Sequence, residues 1–450
     1  MALAVAIVLL VIGSLIFHFL SPWYFTPLAS NWSTIDFTVD VTFWVTGIVF
    51  VGINLFSAYA IIRYRHRKGH KAHYEPENKK VEIWLTVFTT VGVAAMLAPG
   101  LAVWGDFITV PDDALQFEAL GKQWHWSYRM PGDDGELGDT DVRHMSVENL
   151  FGIDPEDPAG QDDILIADPV LHLPVGQPAH ALLRSTDVLH NFAVPQFRIK
   201  MDLVPGMVTY QWFTPERTGT YDILCEELCG IAHFAMRGKV VVDEVDDYRQ
   251  WLAQQPTFAE TMARPAGNAT AGAATYAICT ACHGPQGVGM QALNAPKIAG
   301  QEGWYIRRQI GKYINGLRGS DPRDLYGLQM APMARVVADE TALENVIAYI
   351  QTLPDETPER TVFGDVERGA DLYTTCGFCH GAEGQGVWST NAPRLAGMSD
   401  WYLAAQLENF KQGIRGGHEA DIYGYQMYMM ANILKDENAI SDIIAHINTL

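Results

Sequence analysis

Three long apolar runs in the first hundred residues constrain this chain more than any other feature. Residues 2–20 are almost wholly apolar, as are residues 41–62 and 83–104. Each is close to the ~20 residues a helix needs to cross the hydrocarbon core of a bilayer. Lipid offers the backbone no hydrogen-bond partners, so such a run must satisfy its own N–H and C=O groups as a helix. The chain is therefore expected to begin with a membrane region over residues 1–106. The first run reads as a retained helix, because no basic residue precedes it and no small-x-small cleavage site follows. A signal peptide is the alternative there.

Charge sets the orientation. Arg63, Arg65, Arg67, Lys68, Lys71, Lys79 and Lys80 crowd the loop between the second and third runs, and positive loops stay cytoplasmic. The N-terminus is then inside and everything after about residue 106 is outside, whether or not the first run is retained. The expected location is a bacterial inner membrane, multi-pass, with the later domains on the periplasmic or outer face. A formal net charge of −21 argues against nucleic acid as a partner. Much acid lies in the insert from Gly132 to Asp163, read as a solvated loop or as a docking surface for a basic protein.

The chain has six cysteines, and four of them form C-T-A-C-H (Cys279 to His283) and C-G-F-C-H (Cys376 to His380). This is the signature of covalent c-type haem attachment, made outside the cytoplasm. The two motifs belong to an internal repeat at an offset of 97 residues, which also superposes Pro296 on Pro393, Trp304 on Trp401, Tyr326-Gly327 on Tyr423-Gly424 and Gln329-Met330 on Gln426-Met427. The period exceeds the ~20–50 residues of solenoid units, so it marks two tandem domains. Each unit resembles a small all-α class I cytochrome c domain and closes with an amphipathic helix. His283 and His380 are one axial iron ligand each. The sixth ligand is read as Met, which raises the haem potential. Met330 competes with Met333, and Met427 with Met430. Spacing to the acidic turns at Asp339-Glu340 and Asp436-Glu437 resembles that of cytochromes using the earlier Met, so Met330 and Met427 are chosen.

The other two cysteines lie in C-E-E-L-C-G-I-A-H-F-A-M, from Cys225 to Met236. Thiolate, thioether and imidazole together select copper over magnesium or calcium. Two thiolates on one short loop can bridge a pair of copper ions, with His233 and Met236 as terminal ligands. His190, in D-V-L-H-N-F-A-V-P, is the candidate second imidazole. A structural zinc site or a disulfide is the plainer alternative, but a zinc finger would carry a second late His where this chain has Met236.

Between residues 115 and 243 short alternating segments (L-Q-F-E-A-L, H-A-L-L-R-S, V-T-Y-Q-W-F, Y-D-I-L, K-V-V-V-D) are broken by Gly and Pro, the pattern of a β-sandwich or barrel. Loose composition marks linkers at 251–271 and 354–368. The expected domains are thus 107–250, 272–353 and 369–450.

D-V-L-H-N-F followed by the Cys225–Met236 loop resembles subunit II of the haem–copper cytochrome c oxidases, over residues of about 36–245. The resemblance implies a cupredoxin-like β-barrel with a binuclear CuA centre held by His190, Cys225, Cys229, His233 and Met236, and by Glu227 through its backbone carbonyl. It further implies that the Glu227 carboxylate reaches a magnesium or manganese ion at the contact with subunit I. Glu226 departs from the family, which often has Ser there. G-K-Q-W-H-W-S-Y-R-M (Gly121 to Met130) is similar to the family's G-x-Q-W-x-W segment and implies electron entry at Trp124; by composition alone the segment is strand core. V-E-I-W-L-T is similar to L-E-I-x-W-T, with Trp84 shifted by one position, and implies that Glu82 lies at the mouth of a proton path into subunit I. The plainer reading of Glu82 is an acid favoured by a helix N-terminus.

These readings make the chain a multidomain electron-transfer subunit of a membrane terminal oxidase. Electrons would pass from a donor through two haems to CuA and on to subunit I, where oxygen is reduced to water with coupling to proton translocation. Tethering replaces a diffusional encounter with an effective concentration on the order of mM. The chain carries no catalytic residue for oxygen chemistry; the enzyme is the complex. Expected partners are subunit I, subunit III, membrane lipid, and a c-type cytochrome, cytochrome bc complex or other periplasmic donor. The alternatives are a CuA subunit of a nitric oxide reductase and a stand-alone tethered carrier. A copper-delivery protein fits poorly with the strand pattern, Met236 and two haem domains.

Overall fold

A computed structural model describes residues 1–21, 26–71, 76–264, 266–418 and 420–450. It opens with helices α1 (Ala2–Leu20), α2 (Ser33–Arg63) and α3 (Lys79–Ile108). All three are long and apolar enough to cross a membrane, and large apolar side chains such as Phe37, Ile48, Phe88 and Leu101 point outward. The second and third helices outrun the apolar segments 41–62 and 83–104. The 31 residues of α2 reach about 46 Å, beyond the ~30 Å of hydrocarbon, so the ends of these helices stand clear of the lipid core.

Those projecting ends carry the β domain. The Trp212 indole donates to the Asp106 carbonyl at 3.0 Å, and Tyr210 Oη to that of Ile108 at 3.1 Å. Arg198 pairs with Asp36 at 2.6 Å, and Trp32, buried at the start of α2, packs on Trp212 with ring centroids 4.8 Å apart. At the opposite end of α3, Glu82 lies in the first turn and accepts from the Asn78 N–H at 3.3 Å. An acid is electrostatically favoured there.

The β domain has ten strands: β1 (Leu115–Lys122), β2 (His125–Met130), β3 (Ile164–Ile166), β4 (Val170–Pro174), β5 (Ala179–Ser185), β6 (His190–Val194), β7 (Ile199–Leu203), β8 (Thr209–Phe213), β9 (Gly219–Leu224) and β10 (Arg237–Asp243). They form two five-stranded sheets, ordered β3-β2-β1-β5-β8 and β4-β10-β9-β6-β7. Phe117, Trp126, Phe192, Phe197, Phe213 and Val240 fill the space between them, giving a cupredoxin-like sandwich of two sheets. β5 shows the alternation read from sequence: Ala179, Ala181 and Leu183 are buried and the residues between them are less so. β6 is buried at all five positions, so its sequence carries no period of two and was legible only through its histidine.

The acidic insert is anchored at its base. Asp163, fully buried, accepts from Arg129 at 2.7 Å, and Arg129 also pairs with Glu118 at 2.6 Å. Inside the insert, Phe151 and Ile153 cluster with Leu120 and Phe258.

That cluster corrects the expected linker at 251–271. The segment carries the end of α4 (Val245–Leu252) and all of α5 (Phe258–Met262), and α6 already begins at Ala269. Thr257 and Glu260 form a reciprocal cap at the start of α5, and Phe258 anchors it in the β domain. The small residues that suggested looseness flank one aromatic that decides the packing.

The first helical repeat comprises α6 (Ala269–His283), α7 (Gly303–Ile314), α8 (Leu325–Ala334) and α9 (Glu340–Ile350). The second comprises α10 (Val366–His380), α11 (Asp400–Lys411), α12 (Ile422–Ala431) and α13 (Ala439–Ile447). α6 crosses α9 at Gly272, and α10 crosses α13 at Gly369. A Cβ at either glycine would run into a backbone carbonyl of the partner helix, Asn345 or Asp442. The segment 354–368 is also not a free tether. Asp355 accepts from Lys297 of the first repeat and Arg394 of the second, both at 2.6 Å.

Phe258→Ala should remove the anchor of α5 at a cost of about 3–5 kcal/mol to the local cluster. Limited proteolysis should then cut between Leu252 and Asn268 faster than in the unaltered protein. Unchanged cleavage there would mean that Phe258 does not hold the segment.

Candidate metal centre and haem pockets

Two adjacent strands of one sheet bring the candidate copper ligands together. β9 ends at Leu224, β10 begins at Arg237, and residues 225–236 loop between them with a 3-10 turn over His233–Ala235. Ala193 of β6 pairs with Leu224, which sets His190 beside Cys225. His190 Nδ1 is 4.0 Å from Cys225 Sγ, the two sulfurs are 3.7 Å apart, Cys229 Sγ is 3.5 Å from His233 Nδ1, and Met236 Sδ is 3.8 Å from Cys229 Sγ. The Glu227 carbonyl lies 3.2 Å from Cys225 Sγ. The sulfurs are too far apart for a disulfide, and all six cysteines are free thiols. His190, both cysteines and Met236 are buried, and His233 is half-buried.

The surroundings orient these groups. Asp187 Oδ1 accepts from His190 Nε2 at 2.8 Å, leaving Nδ1 toward the sulfurs. Burial works to lower the His190 pKa, but the Asp187 carboxylate prevails and raises it. The hydrogen bond between the two sulfurs lowers the Cys225 thiol pKa and raises that of Cys229. The Cys229 carbonyl accepts from Gln123 at 2.7 Å and from the Trp124 indole at 3.2 Å. Gly230 makes that approach possible: its φ is +123°, and a Cβ would stand 2.8 Å from Gln123 and 3.0 Å from Trp124. Two sulfurs, a thioether, two imidazoles and one carbonyl, with no carboxylate among them, suit copper rather than a hard cation. Glu226, the departure from the family, points away and pairs with Lys200 at 3.1 Å on the surface, where such a pair is worth little.

A cavity of about 570 Å³ runs through both helical repeats and is lined by the attachment cysteines of each. His283 Nδ1 donates to the Pro296 carbonyl at 2.8 Å, and His380 Nδ1 to that of Pro393 at 2.7 Å. These bonds fix the tautomer and leave both Nε2 atoms as bases. Burial lowers both imidazole pKa values, which favours the neutral form that ligates iron. Met330, Met333, Met427 and Met430 all line the cavity, and Met330, Met427 and Met430 are half-buried. Met333 is 42% exposed, and Met430 packs against the core of the β domain.

Between the pockets lies a pseudo-twofold arrangement that the sequence reading did not single out. Arg318 donates to Gln309 at 2.8 Å and to Tyr402 at 2.6 Å; Arg415 donates to Gln406 at 2.8 Å and to Tyr305 at 2.8 Å. Both guanidiniums are buried, and these partners are neutral. The 97-residue offset relates Arg318 to Arg415, Gln309 to Gln406 and Tyr305 to Tyr402, so the repeat itself was the signal. Asp187 stands three residues before His190, but nothing in that spacing announces its role as the partner of the ring.

Two families match. The model for the cytochrome c oxidase subunit II periplasmic domain covers residues 115–245, and that for cytochrome c covers residues 269–354 and 366–450. The fold and the two kinds of site define a membrane-anchored electron-transport protein with periplasmic domains, whose families imply copper and haem c as cofactors. The alternative cytochrome c oxidase subunit 2 of Bradyrhizobium diazoefficiens is 57% identical over 266 residues, covering 59% of this chain and 96% of that protein. The cytochrome c oxidase subunit 2 of Cereibacter sphaeroides is 28% identical over 241 residues, 51% of this chain and 77% of its own. Among solved structures, reduced cytochrome c4 from Pseudomonas stutzeri matches 41% of this chain and 100% of its own at 29% identity and a TM-score of 0.33. The chain belongs to the cytochrome c oxidase subunit II family and extends it with two cytochrome c domains.

Asp187→Asn should weaken copper binding by about 10–100-fold, as loss of an outer-shell partner of a ligating imidazole generally does. Copper titration against a competing chelator reads this directly. An unaltered affinity would show that Asp187 does not orient His190.

Proposed function

We propose that this chain is the electron-transfer subunit of a haem–copper terminal oxidase. It takes electrons from a periplasmic donor at its two c-type haem domains and delivers them through the binuclear copper site to subunit I. The observation that carries this reading is the packing of Cys225, Cys229, His190, His233 and Met236 into one buried cluster on a chain that also holds two covalent haem motifs. When bound, the copper pair and the haems supply one-electron redox chemistry; reduction of oxygen to water belongs to subunit I.

The chain's own residues hold and tune these sites. His190, Cys225, Cys229, His233 and Met236 would ligate copper through side chains and Glu227 through its carbonyl, with Asp187 fixing one ring. A β-sheet scaffold limits ligand movement between oxidation states. Cys279 and Cys282, and Cys376 and Cys379, would attach the two haems. His283 with Met330, and His380 with Met427, would be the axial pairs; of the competing cavity-lining methionines, Met333 is 42% exposed and Met430 also packs on the β domain. Arg318 and Arg415 bring buried positive charge to the cavity between the repeats and suit the carboxylates that a haem carries. The domains fall at about 1–106, 107–250, 272–353 and 369–450, with the intervening segments docked rather than free.

The finer parts of the reading rest on the family. Glu227 would share a magnesium or manganese ion with subunit I, and Glu82 would stand at the mouth of a proton path. The complex would contain subunits I and III in a bacterial inner membrane, with this chain crossing it three times and a c-type cytochrome or bc complex as donor. Downhill electron flow would be coupled to proton translocation. A nitric oxide reductase would use the same subunit architecture, and turnover of the purified complex with oxygen against nitric oxide separates the two.

Metal analysis with EPR of the purified chain should find two coppers sharing one unpaired electron, together with two covalent haems. Cys229→Ser should abolish the shared-electron signal and stop copper reduction while both haems still accept electrons. One copper, or zinc, in the unaltered protein would refute the assignment.

A further inference from the structure

We infer that the second helical repeat is seated on the copper loop, so that electrons enter the chain at the first repeat and reach the copper site only through the second. The inference rests on the electron-transfer function proposed above and adds the order of the two haem domains.

The seat is built from α12, the helix that carries Met427. Tyr423 stacks on His125 with ring centroids 4.7 Å apart, and its hydroxyl meets His125 Nε2 at 2.8 Å. Gln426, next to Met427, donates its side-chain amide to the Trp124 carbonyl at 2.5 Å. The Trp124 indole in turn donates to the Cys229 carbonyl at 3.2 Å. A hydrogen-bonded path of two residues therefore links the neighbour of a proposed iron ligand to a proposed copper ligand. Cys379, one of the attachment thiols, and Met430 pack on the core of the β domain, and Lys122 Nζ lies 5.0 Å from the centre of the Trp388 ring.

Among the described residues, the first repeat makes no equivalent stacking or hydrogen-bonded seat on the copper loop. Tyr326, which corresponds to Tyr423, is 50% exposed, and Met333, which corresponds to Met430, is 42% exposed. It reaches the seat through two cations, Arg308 at 4.2 Å and Lys312 at 5.6 Å from the centre of the Tyr423 ring, and Lys312 also pairs with Asp421 at the start of α12. The same helical unit is thus used in two ways within one chain. This changes the expectation for Trp124. Its side chain is only 4% exposed, and the chain's own α12 bonds its carbonyl, so it is not an open landing surface for an outside donor. It is the contact through which the second repeat meets the copper loop. Each transfer moves one electron with no bond made or broken: the haem site of the second repeat is oxidised as the copper site is reduced, and is re-reduced from the first.

The test uses the intact oxidised complex, mixed rapidly with a reduced soluble c-type cytochrome. In the double variant Tyr423→Ala with Gln426→Ala, both haem bands should reduce at the normal rate while copper reduction slows by about tenfold or more, as held proximity is lost. Hydrogen exchange in the oxidised protein should rise over residues 122–130 and 225–236, independently of turnover. Copper reduction at the normal rate with unchanged exchange would overturn the seating. Should the double variant fail to incorporate haem, Tyr423→Phe keeps the ring and removes the hydroxyl; faster exchange at His125 supports the seat and unchanged exchange there overturns it. Absence of paired copper in the unaltered protein would instead defeat the proposed function, so the two failures are distinguishable.

Discussion

The register between β6 and β9 is the constraint on which the functional part of the molecule depends. A single pairing, Ala193 with Leu224, brings a histidine at one strand end against a cysteine at the end of another. A slip of one residue in either strand would turn the ligand to the opposite face. The sheet resists such a slip because β6 is buried at every position and is held on its other side by five residues of β7. The loop need then contribute only short-range geometry: a 3-10 turn, a glycine at positive φ and small alanines beneath it.

The same rigidity extends in two directions. Toward the membrane, aromatic contacts and the Arg198–Asp36 pair fasten the sheets to the projecting ends of α2 and α3. Away from it, Phe258, Tyr423 and Gln426 fasten the helical repeats to the sheets. A chain with several domains and apparent linkers is therefore held at fixed distances. This matters for a redox relay, because a mobile tether would average the separation between sites whereas a docked one sets it.

Much of this was legible in the sequence because the chemistry was concentrated in short motifs. The apolar runs, the two C-x-x-C-H motifs and the Cys225–Met236 loop needed no tertiary knowledge, since lipid spanning, covalent attachment and soft-metal ligation each demand particular residues at particular spacings. Strands with one face toward solvent, such as β5, were legible by alternation; β6 was not, because full burial erases the period. The linker reading at 251–271 failed for a related reason. Composition averages over a window, and there a single aromatic, Phe258, outweighed its small neighbours. The seat of the second repeat was beyond reach, because Tyr326 and Tyr423 are equivalent in sequence and differ only in what lies opposite them.

The crossed arrangement of Arg318 and Arg415 bears on how the duplicated half of this molecule could arise and persist. Each guanidinium is bonded by a tyrosine belonging to the other copy. Neither unit is therefore finished on its own: a single copy would need a twin molecule, or a different residue, to supply the acceptor that its buried guanidinium takes from the other copy. With the two joined, deleting either would leave the survivor's buried guanidinium short of an acceptor, so the duplication is self-locking.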